Sequence, residues 1–263
     1  MQRVVGGAAA AAAGVVLLRP YRRAEPEGRF EAARCEDCGA AVRRLRAEGF
    51  AVVAAPDPSR FVDVLDAPDR RRRAVEVTRG RLHCELSGRP GDADADAVLA
   101  DVERSVAAPL AALAAAYLGR RDLALTQAQF LDSAPGADAQ SWHRDNAAPG
   151  ITFLLPLAPV RADMGPTEVL PRSHRGGAPL DAAARPLRCG PLRPGDCLAY
   201  DARLLHRGGA NASDDPRRVL VLRYDSPATP PPGVGLAGAL GQRARGRARA
   251  RLAEVLYDLG LGS

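Results

Sequence analysis

The sequence contains no lysine, and this absence changes what its charge implies. The 37 basic residues are all arginine and the acidic residues number 31, which gives a formal net charge of +6. A single isoleucine beside abundant alanine shows the same compositional bias, so the charge says little about partners. Aromatic residues make up only 4% of the chain and do not alternate with the arginines. Because a nucleic-acid surface needs such stacking groups, the composition argues against nucleic acid as a partner.

Cysteine is scarce, and its count is odd. Five cysteines do not suggest a disulfide framework and favour a reduced intracellular compartment. Cys35 and Cys38 form a CxxC motif, and His83 and Cys84 follow later in the chain. Four such groups could hold a structural zinc ion. The second pair is adjacent, which strains tetrahedral coordination, so ordinary thiols are the preferred interpretation.

A long hydrophobic run is also missing. Val4–Leu18 is apolar over only 15 residues and is rich in alanine, which is too short for a confident membrane span. Arginines follow this run and no acidic residue precedes Glu25, a pattern typical of a signal or transit segment. An unstructured leader is the alternative, and membrane contact depends on whether the run is an anchor. We expect residues 1–30 to lie outside the fold.

The length of 263 residues allows one substantial core, so we predict a single domain over residues 31–263. Its core covers about residues 40–225, and a helical tail covers 236–263. A short amphipathic helix is predicted over Gly39–Gly49, and a strand over Phe50–Ala54. The polar residues 56–93 are predicted to be mostly loop.

A second helix is predicted from Asp94 to Gly119, with Pro109 kinking or dividing it. After this helix the apolar pattern changes from helical spacing to short β-like runs. These runs are Leu123–Leu131, Ile151–Leu157, Glu168–Leu170, Asp196–Tyr200 and Arg218–Tyr224. Helices followed by many short strands predict a mainly β fold of the α+β class. We expect a β-sandwich or a jelly-roll (double-stranded β-helix, cupin-like) core with helices packed on one side.

Three polar residues suggest a metal site. His143 and Asp145 are two positions apart, so on a strand or a turn leaving one they project to the same side. His206 follows a predicted strand and could reach the same point from a neighbouring strand. Two histidines and one carboxylate leave positions open on the metal, which suits iron(II) oxygen chemistry. His143 and Asp145 alone are weak evidence, because the HxD spacing occurs by chance in many proteins.

Arg217 lies eleven residues after His206, at the start of the last predicted strand. A guanidinium there can pair with a carboxylate near the metal, as a dicarboxylate cosubstrate requires. Arg218 is an alternative. Alternation groups Arg217 with Val219 and Val221 on one face, and the pattern does not show which face points to the site.

In three ordered segments the sequence resembles the phytanoyl-CoA dioxygenase family of iron(II)- and 2-oxoglutarate-dependent oxygenases. These segments are Gln140–Asp145, Gly165–His174 and Pro194–Arg217, within a match over about residues 40–225. The resemblance implies that His143, Asp145 and His206 bind iron(II) and form the catalytic centre. It also implies that Arg217, favoured over Arg218 by family spacing, binds the distal carboxylate of 2-oxoglutarate.

The reaction implied is hydroxylation, or a related oxidation, of a small-molecule substrate by dioxygen with release of succinate and carbon dioxide. Retention of Asp145 disfavours the halogenating branch of such enzymes. Two alternatives are an oxygenase of the same barrel that does not use 2-oxoglutarate and a catalytically silent ligand-binding barrel. The substrate's identity and the oligomeric state stay open.

Thr167 and Gln127 are further candidates for cosubstrate binding, although Thr167 could equally satisfy a turn. Gln129 and Gln140 are candidate polar residues at the barrel mouth. Trp142 and His174 are predicted to have packing or structural roles. Two positions depart from the family pattern: Arg172 replaces a common glycine, and Met164 replaces a common asparagine. We expect these two to affect the shape of the substrate pocket.

Overall fold

A computed structural model of the protein describes residues 30–31, 37–67, 74–86, 93–175 and 185–229. Nearly all of the predicted leader, Cys35 and the predicted C-terminal helical tail lie outside these residues. None of the described helices has the length and apolar character needed to cross a membrane.

In the described residues, eleven strands form two sheets. The strands are β1 (Phe30–Glu31), β2 (Phe50–Ala54), β3 (Val75–Thr78), β4 (Arg81–Glu85), β5 (Ala124–Ser133), β6 (Gly150–Pro156), β7 (Thr167–Val169), β8 (Leu187–Cys189), β9 (Asp196–Asp201), β10 (His206–Gly208) and β11 (Arg217–Asp225). The helices are α1 (Cys38–Glu48), α2 (Ala93–Val102) and α3 (Ala108–Leu118), with a π-helical segment at Glu103–Ala107 and 3-10 turns at Ser59–Asp66 and Ala162–Met164.

The larger sheet has the order β2-β9-β6-β11-β5-β4-β3, and all of its neighbouring strands are antiparallel. The smaller sheet has the order β1-β8-β7-β10, in which only β1 and β8 are parallel. Buried apolar side chains join the two sheets face to face, among them Leu154 and Leu198 from the larger sheet and Val169 and Cys189 from the smaller one. The predicted jelly-roll core is confirmed.

The helices cover the other face of the larger sheet, as predicted. Leu45 of α1 and Leu110 of α3 belong to the same buried cluster as Phe153 of β6 and Leu220 of β11. The larger sheet is therefore covered on both faces, with helices on one side and the smaller sheet on the other. This explains why β6 is buried along its whole length instead of alternating.

Local capping sets the bounds of α1. The Asp37 carboxylate accepts a hydrogen bond from the Ala40 N–H at 2.7 Å, which satisfies a free donor in the first turn. Gly49 ends the helix with φ of 89°, a left-handed conformation that glycine adopts without steric cost. The predicted helix and the strand that follows it agree with the structure to within one residue.

The second helical region is divided just before Pro109, in agreement with the prediction. The π-helical segment Glu103–Ala107 separates α2 from α3, and Pro109 is the second residue of α3. α2, this segment and α3 follow one another without a loop. Gly119 then ends α3 in the left-handed conformation, as the sequence predicts.

The prediction that residues 56–93 are mostly loop is wrong for much of that range. They contain a 3-10 turn and the hairpin formed by β3 and β4. The β3 residues Val75 and Val77 are exposed, so no alternation between buried and exposed positions marks the strand. β4 forms because it pairs with β5, a contact between residues far apart in sequence. β1 also begins at Phe30, one residue inside the expected leader.

We expect Phe153→Ala to lower the free energy of unfolding by about 3–5 kcal/mol, since truncation of a buried aromatic leaves a cavity. Phe153 is fully buried, and its ring packs edge-on against Tyr224 at 6.2 Å between centroids. Urea denaturation measures the change. Val75→Ala is the control, because Val75 is 63% exposed and its truncation should alter stability by no more than about 0.5 kcal/mol. Equal effects of the two substitutions would contradict this account of the core.

Candidate metal centre

Backbone pairing brings His143 and His206 together. The N–H of each residue donates to the carbonyl oxygen of the other, and both distances are 3.0 Å. In an antiparallel pair, residues that face each other in this way project their side chains to the same side. The two imidazole rings accordingly lie 4.3 Å apart between centroids.

Asp145 completes the group from two positions beyond His143. Its N–H donates to the carbonyl of Ala202 at 2.8 Å, which holds the turn against the end of β9. Its Oδ1 lies 3.6 Å from His206 Nε2 and 3.9 Å from His143 Nε2. One donor atom from each residue lies within 4.8 Å of the others. Donor atoms about 2.0–2.2 Å from a shared metal ion stand at comparable separations.

Hydrogen bonds behind the three donors orient them. His143 Nδ1 lies 2.9 Å from the Ser141 carbonyl, and His206 Nδ1 lies 3.0 Å from the Leu204 carbonyl. Because a carbonyl can only accept, each Nδ1 carries the proton and each Nε2 presents a lone pair to the centre. The Thr152 hydroxyl donates to Asp145 Oδ2 at 2.7 Å, which leaves Oδ1 directed at the two imidazoles.

The charges of the centre also suit a metal ion. Burial lowers the pKa of His206 to about 4, and the nearby imidazole of His143 contributes to the shift. Burial opposes ionisation of Asp145, but the His206 and Arg223 charges and the Thr152 hydrogen bond outweigh it and lower the Asp145 pKa to about 2. At neutral pH His206 is therefore uncharged and Asp145 is ionised, the forms that bind metal. Two nitrogen donors and one carboxylate fit iron(II).

A cavity of about 460 Å³ opens in front of these three residues, between the two sheets. This volume is in the range of small-molecule sites. Gln127, Gln129, Gln140 and Thr167 line the cavity, so the structure places all four predicted polar residues around it. Their roles toward a cosubstrate stay predictions.

Arg217 faces the cavity and Arg218 does not. The Arg218 guanidinium lies on the opposite face of β11 and binds both carboxylate oxygens of Asp66, at 2.7 and 2.9 Å. Arg217 is only 3% exposed, lines the cavity, and has one long contact of 3.4 Å to the Ser133 hydroxyl. Its Nε and Nη1 have no hydrogen-bond partner in the described structure. Burial and the neighbouring charge of Arg81 lower the Arg217 pKa to about 9, so it remains a cation at neutral pH.

The suggested zinc site is wrong for the residues that the structure describes. His83 and Cys84 are adjacent on β4, and successive side chains of a strand point to opposite faces. His83 lines the cavity, whereas Cys84 is buried in the cluster under the helices. Cys38 is exposed at the start of α1. The adjacent pair therefore cannot bind one ion together.

Several cavity residues were not found from the sequence. The Tyr200 ring contacts the His206 ring, with centroids 4.4 Å apart and planes tilted by 48°. Arg223 lies 3.9 Å from Asp145 Oδ2 through its Nη1 and is fixed by Asp225. Arg223 lies six residues after Arg217 on β11, so the alternation of a strand predicts that the two side chains share a face. His83, on β4, was noticed only as a possible zinc ligand, because it lies in the range predicted to be loop.

The comparison with known proteins agrees with this geometry. The family model described as phytanoyl-CoA dioxygenase (PhyH) matches residues 24–219. The chain belongs to this family. Dioxygenase hkm4 of Aspergillus hancockii is 31% identical over 121 residues, which cover 41% of this chain and 40% of hkm4. The match therefore spans less than half of that relative.

Solved structures show the same fold. AviO1 from Streptomyces viridochromogenes Tue57 aligns with 76% of this chain and 100% of its own, at 25% identity and a TM-score of 0.57. The epimerase SnoN, in complex with Fe3+, alpha ketoglutarate and nogalamycin RO, aligns with 71% of this chain and 82% of its own, at 22% identity and a TM-score of 0.54.

The two departures from the phytanoyl-CoA dioxygenase pattern have local explanations. Arg172 has φ of 65°, a left-handed conformation in which glycine is the favoured residue. Its backbone N–H donates to the Glu48 carbonyl at 2.7 Å, which helps to hold that conformation. Met164 is 3% exposed and packs in the cluster between the sheets. Neither residue lines the cavity, so the expectation that they shape the pocket is not supported.

We expect Thr152→Val to weaken divalent metal binding by about 10- to 100-fold, the usual effect of losing a hydrogen bond to a metal ligand. The substitution keeps the side chain's shape and removes the hydroxyl that holds Asp145 Oδ2. Anaerobic titration with cobalt(II) measures the affinity. Thr78→Val, on the edge strand β3, makes the same change far from the centre and should have no effect. Unchanged affinity in Thr152→Val would show that Asp145 needs no such support.

Proposed function

We propose that the protein is an iron(II)- and 2-oxoglutarate-dependent dioxygenase that hydroxylates a small organic substrate. The observation that carries this proposal is one cavity with two complementary ends. One end has two imidazole nitrogens and a carboxylate oxygen arranged around a point. The other has the buried guanidinium of Arg217, whose Nε and Nη1 have no hydrogen-bond partner in the described structure. A 2-oxo dicarboxylate has a chelating group and a distant carboxylate, which match these two ends.

In this proposal His143 Nε2, His206 Nε2 and Asp145 Oδ1 hold the metal on one side. An iron(II) ion held there would supply the redox chemistry by which dioxygen oxidises both the organic substrate and 2-oxoglutarate, the latter to succinate and carbon dioxide. The protein's part is orientation. The protonated Nδ1 atoms keep both imidazoles directed at the metal, and the Thr152 hydroxyl holds the remaining oxygen of Asp145.

Arg217 binds the far carboxylate in this proposal. A carboxylate would supply partners to Nε and Nη1, whose burial without partners costs free energy. Thr167 and Gln127 are proposed as further polar contacts of the cosubstrate. Apolar walls at Leu154 and Val221 limit the access of water to the reacting atoms.

The comparisons support the proposal at two levels. Family membership and the relatives named as dioxygenases support oxidation by dioxygen. The SnoN complex supports the pairing of an iron ion with 2-oxoglutarate in this fold. SnoN is an epimerase, so the fold permits outcomes other than hydroxylation. Hydroxylation remains the proposed outcome, and the carboxylate of Asp145 disfavours halogenation.

We expect Arg217→Ala to raise the Kd of 2-oxoglutarate for the metal-loaded protein by about 10- to 100-fold, since charge-assisted hydrogen bonds are lost. Metal affinity should not change. Anaerobic calorimetry measures both values, with iron(II) titrated into the metal-free protein and 2-oxoglutarate titrated into the iron(II)-loaded protein. Arg218→Ala is a matched control one residue away, because its guanidinium binds Asp66 outside the cavity. An oxygenase that does not use 2-oxoglutarate would show no specific binding in the unchanged protein.

We expect His143→Ala to abolish succinate formation from 2-oxoglutarate during a screen of candidate substrates under air. Loss of one of three donors should lower metal affinity by more than the roughly 10- to 100-fold seen when only a supporting contact is lost. Mass spectrometry of succinate gives the readout, with His174→Gln as a histidine control outside the cavity. Full succinate formation in His143→Ala would remove this residue from the centre. Absence of succinate from the unchanged protein with every substrate would favour a silent ligand-binding barrel.

A further inference from the structure

One wall of the cavity is formed by β4 and β5. His83 of β4 and Gln127, Gln129 and Leu131 of β5 line the cavity there, and this group is here called the β4–β5 wall. His83 pairs directly with Leu131, and Gln129 is the next residue along β5 on the same face. The wall therefore presents one imidazole and two amides beside a single apolar side chain.

The groups proposed to bind the metal and the cosubstrate lie mostly on other elements. The candidate metal donors belong to the turn before β6 and to β10, and Arg217 begins β11. From the β4–β5 wall, only Gln127 is proposed as a contact of the cosubstrate. His83 and Gln129 have no part in that proposal, so they border a portion of the cavity that is left for the primary substrate.

Both side chains have hydrogen-bonding groups that the described residues do not use. Gln129 is 6% exposed and lines the cavity, and its amide makes no hydrogen bond within the described residues. The Nε2 of His83 also has no hydrogen-bond partner there. Buried polar groups normally have partners, because an unmade hydrogen bond costs free energy. A ligand with hydrogen-bonding groups would therefore be favoured against this wall.

The β4–β5 wall carries no charge at neutral pH. Burial lowers the pKa of His83 to about 4, and the nearby charge of Arg81 contributes to the shift. The charges of His143 and Asp145 also act on His83, which places its ring near the candidate metal donors. A neutral imidazole and an amide each have a donor and an acceptor. The wall thus offers hydrogen bonds of both kinds without attracting an ion.

The charged side chains that line the cavity already have partners in the protein or in the proposed function. Arg223 is bound through Nε by the fully buried Asp225 at 3.2 Å. Arg144 donates through Nη1 to two backbone carbonyl oxygens. In the proposed function Asp145 binds the metal and Arg217 binds the cosubstrate. A charged substrate would then be buried without a partner of opposite charge, which is costly.

We propose that the primary substrate is an uncharged molecule that carries hydroxyl groups, and that Gln129 and His83 bind one or more of them. A hydroxyl group both donates and accepts, so it can pair with an amide and with a neutral imidazole. The inference rests on the proposed function, because it names the class of substrate for the same site. Gln129 and His83 then determine how the substrate is oriented beside the metal.

The test compares probes that share a six-membered ring and differ in charge: trans-1,2-cyclohexanediol, cyclohexanecarboxylate and cyclohexylammonium. The full-length protein is loaded with manganese(II) and saturated with 2-oxoglutarate. Paramagnetic manganese broadens the proton resonances of a probe that binds close to it, so NMR line widths give the Kd at this site. The diol should bind about tenfold more tightly than either ion, since burial of an unpaired charge is costly. A preference for either ion, or no broadening with any probe, overturns the inference.

Variants of the two wall residues test their contact with the probe. Gln129→Leu and His83→Leu remove hydrogen-bonding groups, and each should raise the Kd of the diol by about 3- to 10-fold. Gln129→Glu puts a negative charge at the same place and should shift the preference towards cyclohexylammonium. A purely structural role for Gln129 predicts no such shift, so an unchanged preference in Gln129→Glu overturns the inference. This variant also decides if a leucine variant does not fold.

His174→Leu is the matched control for His83→Leu. His174 is also a buried histidine, but it packs against Gly49 at the end of α1, outside the cavity, so its loss should not change the Kd of the diol. The Kd of 2-oxoglutarate for the nickel(II)-loaded protein should stay the same in every variant. A parallel loss of 2-oxoglutarate binding in both leucine variants of the wall would show general damage and overturn the inference. Failure of the unchanged protein to bind 2-oxoglutarate would instead contradict the proposed function itself.

Discussion

The reciprocal backbone hydrogen bonds between His143 and His206 are the constraint on which the site depends. They join a segment before β6 to the start of β10 and fix both imidazoles on one side. The jelly-roll arrangement holds these two segments together, so the candidate metal centre follows from sheet topology more than from any loop. Asp145 needs no further strand pairing to bring its carboxylate to the site, because it follows His143 by two residues.

The cavity has groups of opposite charge at its two ends. The carboxylate of Asp145 lies at one end, 3.9 Å from Arg223 Nη1, and the buried guanidinium of Arg217 lies at the other, where its Nε and Nη1 have no hydrogen-bond partner in the described structure. A cation and an organic dianion that touch each other would balance both ends at once. Each would also improve the binding of the other, because a bound cation attracts the dianion and a bound dianion attracts the cation.

Much of the fold could be predicted from the sequence, because many of its elements are marked by patterns of neighbouring residues. The helix ending at Gly49 and the long strands β5, β6, β9 and β11 have caps or apolar runs that local pattern detects. β4 and β10 form through pairing with distant strands, and no local signal marks them. The same division applies to the site. The HxD spacing and the position of Arg217 were readable, but the place of His83 on the cavity wall became visible only after β4 was placed beside β5. The choice between Arg217 and Arg218 likewise needed the sheet, because alternation identifies two faces without saying which borders the cavity.

Side chains alternate between two faces along β11, and this alternation restricts the sequence changes that the strand can accept during evolution. Its odd-numbered residues from Arg217 to Arg223 face the space between the sheets, and Leu220 and Leu222 pack under the helices. Insertion or deletion of one residue within β11 would exchange the two faces, placing guanidinium groups in the apolar layer and leucines in the cavity. A substitution in β11 alters either the cavity or the apolar layer under the helices, whereas a change in the length of the strand disrupts both. We therefore expect β11 to keep its length among relatives that retain the activity, while loops at the cavity mouth vary freely.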